Sequence, residues 1–267
     1  MSAQSANKDT RSNATNDFFL EVAKGVVPGH SAVIQRGHAT SVSTSTAYSD
    51  FCEYGDLTYM STAETMDIVS TSTSDSSDGT GLQTVLIQGI DNDGAALQET
   101  VTMNGTTPVG TSGEYKRINA MVGLSVGSDG WNAGDVKAIS ATSNTTQSFM
   151  GTVECLSQNS HYTVPTGSKG YLYKVELNAA KLSGGGTPVV EFAGTFRTST
   201  SSAWLQGFDK KLDTGVTDEV DVVLPFPTQM PAGTDIRMRG RCDTASSEAR
   251  TRMYLMLAED NPANIYG

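Results

Sequence analysis

Apolar and polar residues alternate with a period of two through most of the chain, the mark of strands with one dry face and one wet face. The clearest case sets Ile236, Met238, Gly240 and Cys242 against Arg237, Arg239 and Arg241. The same period groups Tyr171, Tyr173, Val175 and Leu177 against Leu172, Lys174 and Glu176, and it recurs at Val190–Phe196 and Val220–Leu224. In the first half, Ile118, Ala120, Val122 and Leu124 share a face that Lys116 breaks at its start. Thr84–Ile90 and Leu97–Met103 read as a hairpin joined by Asp91-Asn92-Asp93-Gly94 and followed by Asn104-Gly105, residues that supply the positive φ of tight turns. Further strands are expected at Ala32–Arg36, Ala47–Glu53, Thr65–Thr73 and Asp135–Ala141, with a loop over Ser70–Gly81. Arg252–Ala258 is apolar on both faces, which predicts a place inside a sheet or under an interface.

No segment has the pattern of a helix longer than about three turns. The fold class predicted is all-β: two β-sandwich or jelly-roll-like domains with an extended N-terminal arm. The boundaries predicted are 1–29 for the arm, 30–150 for the first β-domain and 151–267 for the second. Residues 142–158 are polar and unpatterned and serve as the linker between them. Residues 1–17 carry almost no large apolar side chains. Phe18, Phe19, Leu20 and Val22 then form a docking segment, one helical turn or an extended stretch, ended by Pro28-Gly29.

Composition narrows the function. The 267 residues carry a net charge of −11, with basic residues scattered apart from the arginine row and the pair Arg250 and Arg252. A nucleic-acid partner needs clustered positive charge and is not expected. No run approaches the roughly 18 apolar residues of a membrane span, and the N-terminus lacks the apolar core of a signal peptide. Cys52, Cys155 and Cys242 have neither metal-ligand spacing nor disulfide density, so buried free thiols are expected.

Candidate chemistry is thin. Asp91 and Asp93 open like a calcium loop, but the position for a twelfth-residue carboxylate holds Thr102, and a hairpin turn explains the same residues. His30, His38 and His161 have no adjoining carboxylate or second ligand in the sequence and read as ordinary histidines. There is no Gly-x-Ser-x-Gly elbow. Asp218, Glu219 and Asp221 alternate with valines as a wet strand face, Ser183–Gly186 is a flexible loop, and the acceptor patterns at Asn13, Asn104 and Asn144 lack an export signal. No catalytic residue, cofactor or metal is assigned. Arg237, Arg239 and Arg241 repel one another unless carboxylates meet them, from a neighbouring strand first or from another subunit.

Three segments, Phe19–Gly25 with Val27–Ser31, Gly81–Asp91 through Asn104–Val109, and Tyr115–Met121, resemble a family of virion structural proteins of marine tailed bacteriophages. Val164–Leu172 resembles the family's entry to its C-terminal β-region in style. The resemblance implies a non-enzymatic virion component assembled in the host cytoplasm. The resemblance leaves the place in the virion open; a capsid-surface decoration or head-fibre-like protein is the position expected, with a neck, collar or tail protein as the alternative. Its partners are then other virion proteins, the major capsid or neck and tail proteins, and copies of itself, with a trimer expected from closed symmetry. The arm, Phe18, Phe19, Leu20 and Val22, and the arginine row are the expected interface. Two other classes stay open. One is a calcium-assisted carbohydrate-binding adhesin, which exposed Trp or Tyr platforms and a completed oxygen cage at Asp91 and Asp93 would support, with Trp131 and Trp204 the only tryptophans. The other is a depolymerase, which would need a carboxylate pair in a cleft.

Overall fold

The computed structural model describes residues 18–42, 44, 46–182, 187–199, 202–215, 219–243 and 247–260. The arm at 1–17, the Ser183–Gly186 loop and Asp218 lie outside them. The fold is all-β. In chain order the strands are β1 (His30–Ala39), β2 (Ser49–Asp50), β3 (Met66–Ser70), β4 (Leu82–Ile90), β5 (Ala96–Thr102), β6 (Val109–Gly110), β7 (Arg117–Val126) and β8 (Val136–Ser140). They continue with β9 (Thr146–Met150), β10 (His161–Thr163), β11 (Ser168–Lys181), β12 (Val189–Arg197), β13 (Leu205–Asp213), β14 (Glu219–Met230), β15 (Asp235–Cys242) and β16 (Ser247–Glu259). Among the described residues, no helix is long and apolar enough to cross a membrane.

Two sheets, β6-β3-β8-β9 and β5-β4-β7, share a core of Met66, Ile68, Leu82, Val85, Ile87, Met103, Tyr115, Ile118 and Met121. The predicted hairpin is β4 and β5, in register from Thr84↔Thr102 to Ile90↔Ala96. Two further sheets, β1-β16-β11-β14 and β10-β15-β12-β13 with β2 on β15, share a second core of Val175, Leu177, Phe192, Ile236, Met238, Met253 and Leu255. At Gly240 an added Cβ would enter the ring of Phe51, so glycine there lets β2 and its following turn close onto this core. Phe51 in turn packs on Phe192, with ring centroids 5.0 Å apart.

The chain is partitioned differently from the predicted 30–150 and 151–267. β1 pairs with β16 along its whole length, from His30↔Ala258 to Ala39↔Ala249, and Ala39, Val42 and Phe51 lie in the second core. The physical reason lies in β16. Its later part, Met253–Ala258, is apolar on both faces and belongs inside a sheet, and the strand takes β1 on one side and β11 on the other. Periodicity identifies a strand but not its partner.

The stretch predicted as a linker, 142–158, contains β9, whose residues are all buried. Its polar side chains are buried with partners: Asn159 Nδ2 donates to Ser148 Oγ at 2.6 Å and Gln147 Nε2 to Thr145 Oγ1 at 2.7 Å. Hydrogen bonding removes most of the cost of burying such groups. The alternation read through Tyr171–Leu177 also breaks. Register shifts between Leu172 and Lys174, so Leu172, Val175 and Leu177 face the core. Tyr173 is the extra residue of a β-bulge, which turns its ring outward.

Candidate functional site

Residues 18–23 form one short helix, closed where Gly25 takes φ +71°. Val22 is turned inward and only 3% exposed, whereas Phe18, Phe19 and Leu20 are 36%, 54% and 49% exposed. Phe19 stacks on Tyr173, centroids 4.8 Å apart, and Tyr173 leans on Tyr254 at 6.1 Å. Ile34, half exposed, is the register partner of Tyr254. The bulge therefore supplies the ring on which the helix rests. Phe19, Tyr173, Tyr254 and Ile34 make a small apolar patch on the outer face of the β1-β16-β11-β14 sheet, beside the Lys174–Glu176 and Arg252–Glu176 ion pairs. Of the four N-terminal residues expected at an interface, Val22 is buried within the chain and the other three are exposed.

The arginine row is met within the chain. Asp50 Oδ1 lies 2.9 Å from Arg239 Nε and 3.5 Å from Arg237 Nη1. Asp56 reaches Arg239 Nη2 at 3.2 Å and Glu191 reaches Arg241 Nε at 2.7 Å. Burial pushes the Asp50 carboxyl up, against the opposing pull of Arg237 and Arg239. The Arg237 guanidinium also lies 3.7 Å from the Trp204 ring centre, and Arg197 lies 4.4 Å from it. Arg117 and Arg197 sit over Tyr59 at 4.8 and 4.7 Å. These cation–π stacks fix the arginines in place. The row is thus structural, and an acidic face on another subunit is not needed to neutralise it.

At the hairpin tip, Asp91 Oδ1 accepts the N–H of Asp93 and of Ala95, each at 2.9 Å, and Gly94 takes φ +80°. Thr166 Oγ1 donates to the Asp93 carbonyl at 2.9 Å. Asp91 spends an oxygen on its own turn, as the turn reading expects.

His30 and His161 are the ordinary histidines expected. His30 Nδ1 lies 2.9 Å from the Pro28 carbonyl. His161 is buried with Nε2 2.6 Å from the Ile118 carbonyl, and burial pushes its pKa down. His38 differs. It is only 6% exposed, yet carboxylates surround it: Glu53 Oε1 at 2.5 Å and Glu154 Oε1 at 3.7 Å from Nδ1, and Glu248 Oε1 at 3.1 Å from Nε2. Glu154 and Glu53 raise its pKa to about 9, against the effect of burial. Among the described residues, His38, Glu53 and Glu154 are the group of three His, Cys, Asp or Glu side chains whose ligating atoms converge, all within 4.8 Å of one another.

Each member comes from a different place. His38 is on β1, Glu53 follows β2, Glu154 lies in the loop after β9, and Glu248 is on β16. Val153 and Cys155, either side of Glu154, take φ of 63° and 51°, a costly conformation for non-glycine residues and above all for a β-branched one. Buried Asn132 holds that loop: its Oδ1 accepts from Cys155 N at 2.9 Å and its Nδ2 donates to the Gly151 carbonyl at 2.7 Å. Sequence spacing carries no trace of this cluster, because the residues are scattered from 38 to 248. Beside it, Arg36, Glu176, Asn178, Glu219, Arg250 and Arg252 line an open cleft of about 460 Å³.

No protein-family model matches the chain, and no curated protein matches it significantly. Among solved structures it is similar to a chain of the infectious bursal disease virus Gt strain, at 11% identity, TM-score 0.24, over 91% of this chain and 78% of that one. It is also similar to a chain of the infectious bursal virus derived T=1 particles, at 11% identity, TM-score 0.22, over 91% and 76%. TM-scores this low do not establish a shared fold.

Proposed function

We propose that this chain is a non-enzymatic structural component of a tailed-phage virion, a capsid-surface decoration or head-fibre-like protein that docks through its N-terminal region. The observation that carries the proposal is the exposed Phe18-Phe19-Leu20 surface, set on the Tyr173 and Tyr254 rings and reached directly from the polar arm. An apolar patch of this kind on an otherwise acidic chain fits a protein contact. The all-β fold and the resemblance of residues 19–124 to marine phage virion proteins support the same reading. A neck, collar or tail position uses the same contact and is the alternative. The adhesin reading has less support: Arg237 and Arg197 already cover Trp204, which leaves half-exposed Trp131 as its single tryptophan platform.

The test is cosedimentation of the recombinant full chain with phage particles lacking it, wild type against Phe18→Ser/Phe19→Ser/Leu20→Ser. Wild type is expected on the particle and the triple variant, folded, in the supernatant. Equal binding by the two, or no binding by wild type, rejects docking through this surface. Native mass spectrometry of the same samples tests the expected trimer.

A further inference from the structure

From the geometry around His38 we infer that His38, Glu53 and Glu154 form a binding site for a divalent metal ion of the zinc type, with Glu248 orienting the imidazole. The inference is independent of the virion reading. It starts from the two ring nitrogens. Nε2 faces Glu248 Oε1 at 3.1 Å, the bond expected of an Nε2–H donor. Nδ1 is buried and has no hydrogen bond of good geometry, although Glu53 Oε1 lies 2.5 Å and Glu154 Oε1 3.7 Å away.

Two carboxylates and an imidazole nitrogen gathered this closely call for a cation among them, either a proton on Nδ1 or a metal ion in its place. One proton on Nδ1 serves one carboxylate well. A metal ion serves all three ligands together.

The donor set selects the metal. Magnesium and calcium take oxygen ligands, whereas one imidazole with two carboxylates suits zinc and its neighbours. Zinc bonds of about 2.0–2.2 Å place ligand atoms about 3.4 Å apart in a tetrahedron. The Nδ1 to Glu154 separation is already close to that, at 3.7 Å, and the Glu53 carboxylate needs to move out by about 0.9 Å from its 2.5 Å position. Glu53 and Glu154 are 19% and 17% exposed, which leaves room for water as the fourth ligand. Glu248 supplies the carboxylate–histidine–metal relay that fixes the tautomer of metal-bound histidines.

Such an ion clips β1 to the turn after β2 and to the strained loop after β9. It thereby joins a strand of the second core to the loop that leaves the first.

The experiment is calorimetric titration of the chelator-stripped full chain with Zn²⁺ at pH 7.5, with Mg²⁺ and Ca²⁺ as comparators. One Zn²⁺ per chain is expected, weakened about 100-fold by His38→Ala or Glu154→Gln and about 10-fold by Glu248→Gln. A wild-type measurement stands beside the variants: the His38 Nδ1 resonance in ¹⁵N NMR is expected to move on adding one equivalent of Zn²⁺. Absence of stoichiometric Zn²⁺ binding, undiminished binding by folded His38→Ala, or an unmoved Nδ1 resonance overturns the site. The cluster is then an imidazolium bridging glutamates.

Discussion

Arg117 of β7 and Asp235 of β15 form a two-pronged ion pair across the two halves of the molecule, Nε to Oδ1 and Nη2 to Oδ2, each at 3.1 Å. Both side chains are buried. Arg117 also donates to the Met60 carbonyl at 2.7 Å, and Asp235 accepts from Thr163 Oγ1 at 2.7 Å and Arg197 Nε at 3.0 Å. The pair is therefore fully coordinated, the condition under which a buried ion pair repays its desolvation.

Arg117→Ala leaves Asp235 buried with one guanidinium fewer. Loss of one partner of a buried pair costs about 3–5 kcal/mol, read as a lower urea midpoint. A change under about 1 kcal/mol would mean the two halves do not depend on this contact.

Acid should weaken the fold. Lys211 and Arg241 hold the Glu191 carboxyl down at about 2. Burial alone would raise the Asp235 carboxyl, but Arg117, Thr163 and Arg197 outweigh it and keep it below the usual range. The unfolded chain then binds more protons than the folded one, so stability rises with pH in this window. The contribution of Glu191 is complete above its unfolded value near 4.3 and is lost as pH falls toward 2. Thermal midpoints measured across that range should fall, and Glu191→Gln should make the fall shallower.

Opposite faces of the 18–23 helix should respond oppositely. Val22→Asp buries an unpaired charge and should destabilise by more than about 2 kcal/mol. Leu20→Asp, on the exposed face, should stay within about 0.5 kcal/mol. Urea unfolding of the two variants checks the orientation directly, and a reversed order would turn the helix over.

Asp91→Ala removes the acceptor of two turn hydrogen bonds and should cost about 1 kcal/mol. Calcium should not raise the thermal midpoint of wild type more than that of this variant. A calcium-dependent rise confined to wild type would restore the metal reading of the turn.

Local features of this chain were legible because they are written locally. The β4–β5 hairpin, the wet and dry faces of β15 and the turn at Asp91 follow from alternation and turn residues alone. The pairing of β1 with β16 was not legible, since any strand with a dry face satisfies the same pattern. The bulge at Tyr173 shifted the face of β11 without a glycine to announce it. In β9, hydrogen-bonded polar side chains disguised a buried strand as a linker. That Phe18, Phe19, Leu20 and Val22 form a short apolar segment was readable, but the inward turn of Val22 was not. The His38 cluster was invisible because its members meet only when β1, β2, the loop after β9 and β16 have all been placed.

That β1 lies beside β16 has a consequence for how the protein is made. His38 and Glu248 are 210 positions apart in the chain, so β1 waits for a partner made long after it. Strands β3 to β9 pair among themselves and can condense while synthesis continues. Closure of the outer sheet is a late, long-range event of the slow kind. The aromatic ledge built on Tyr173 and Tyr254 is then completed only once β16 has been made and placed.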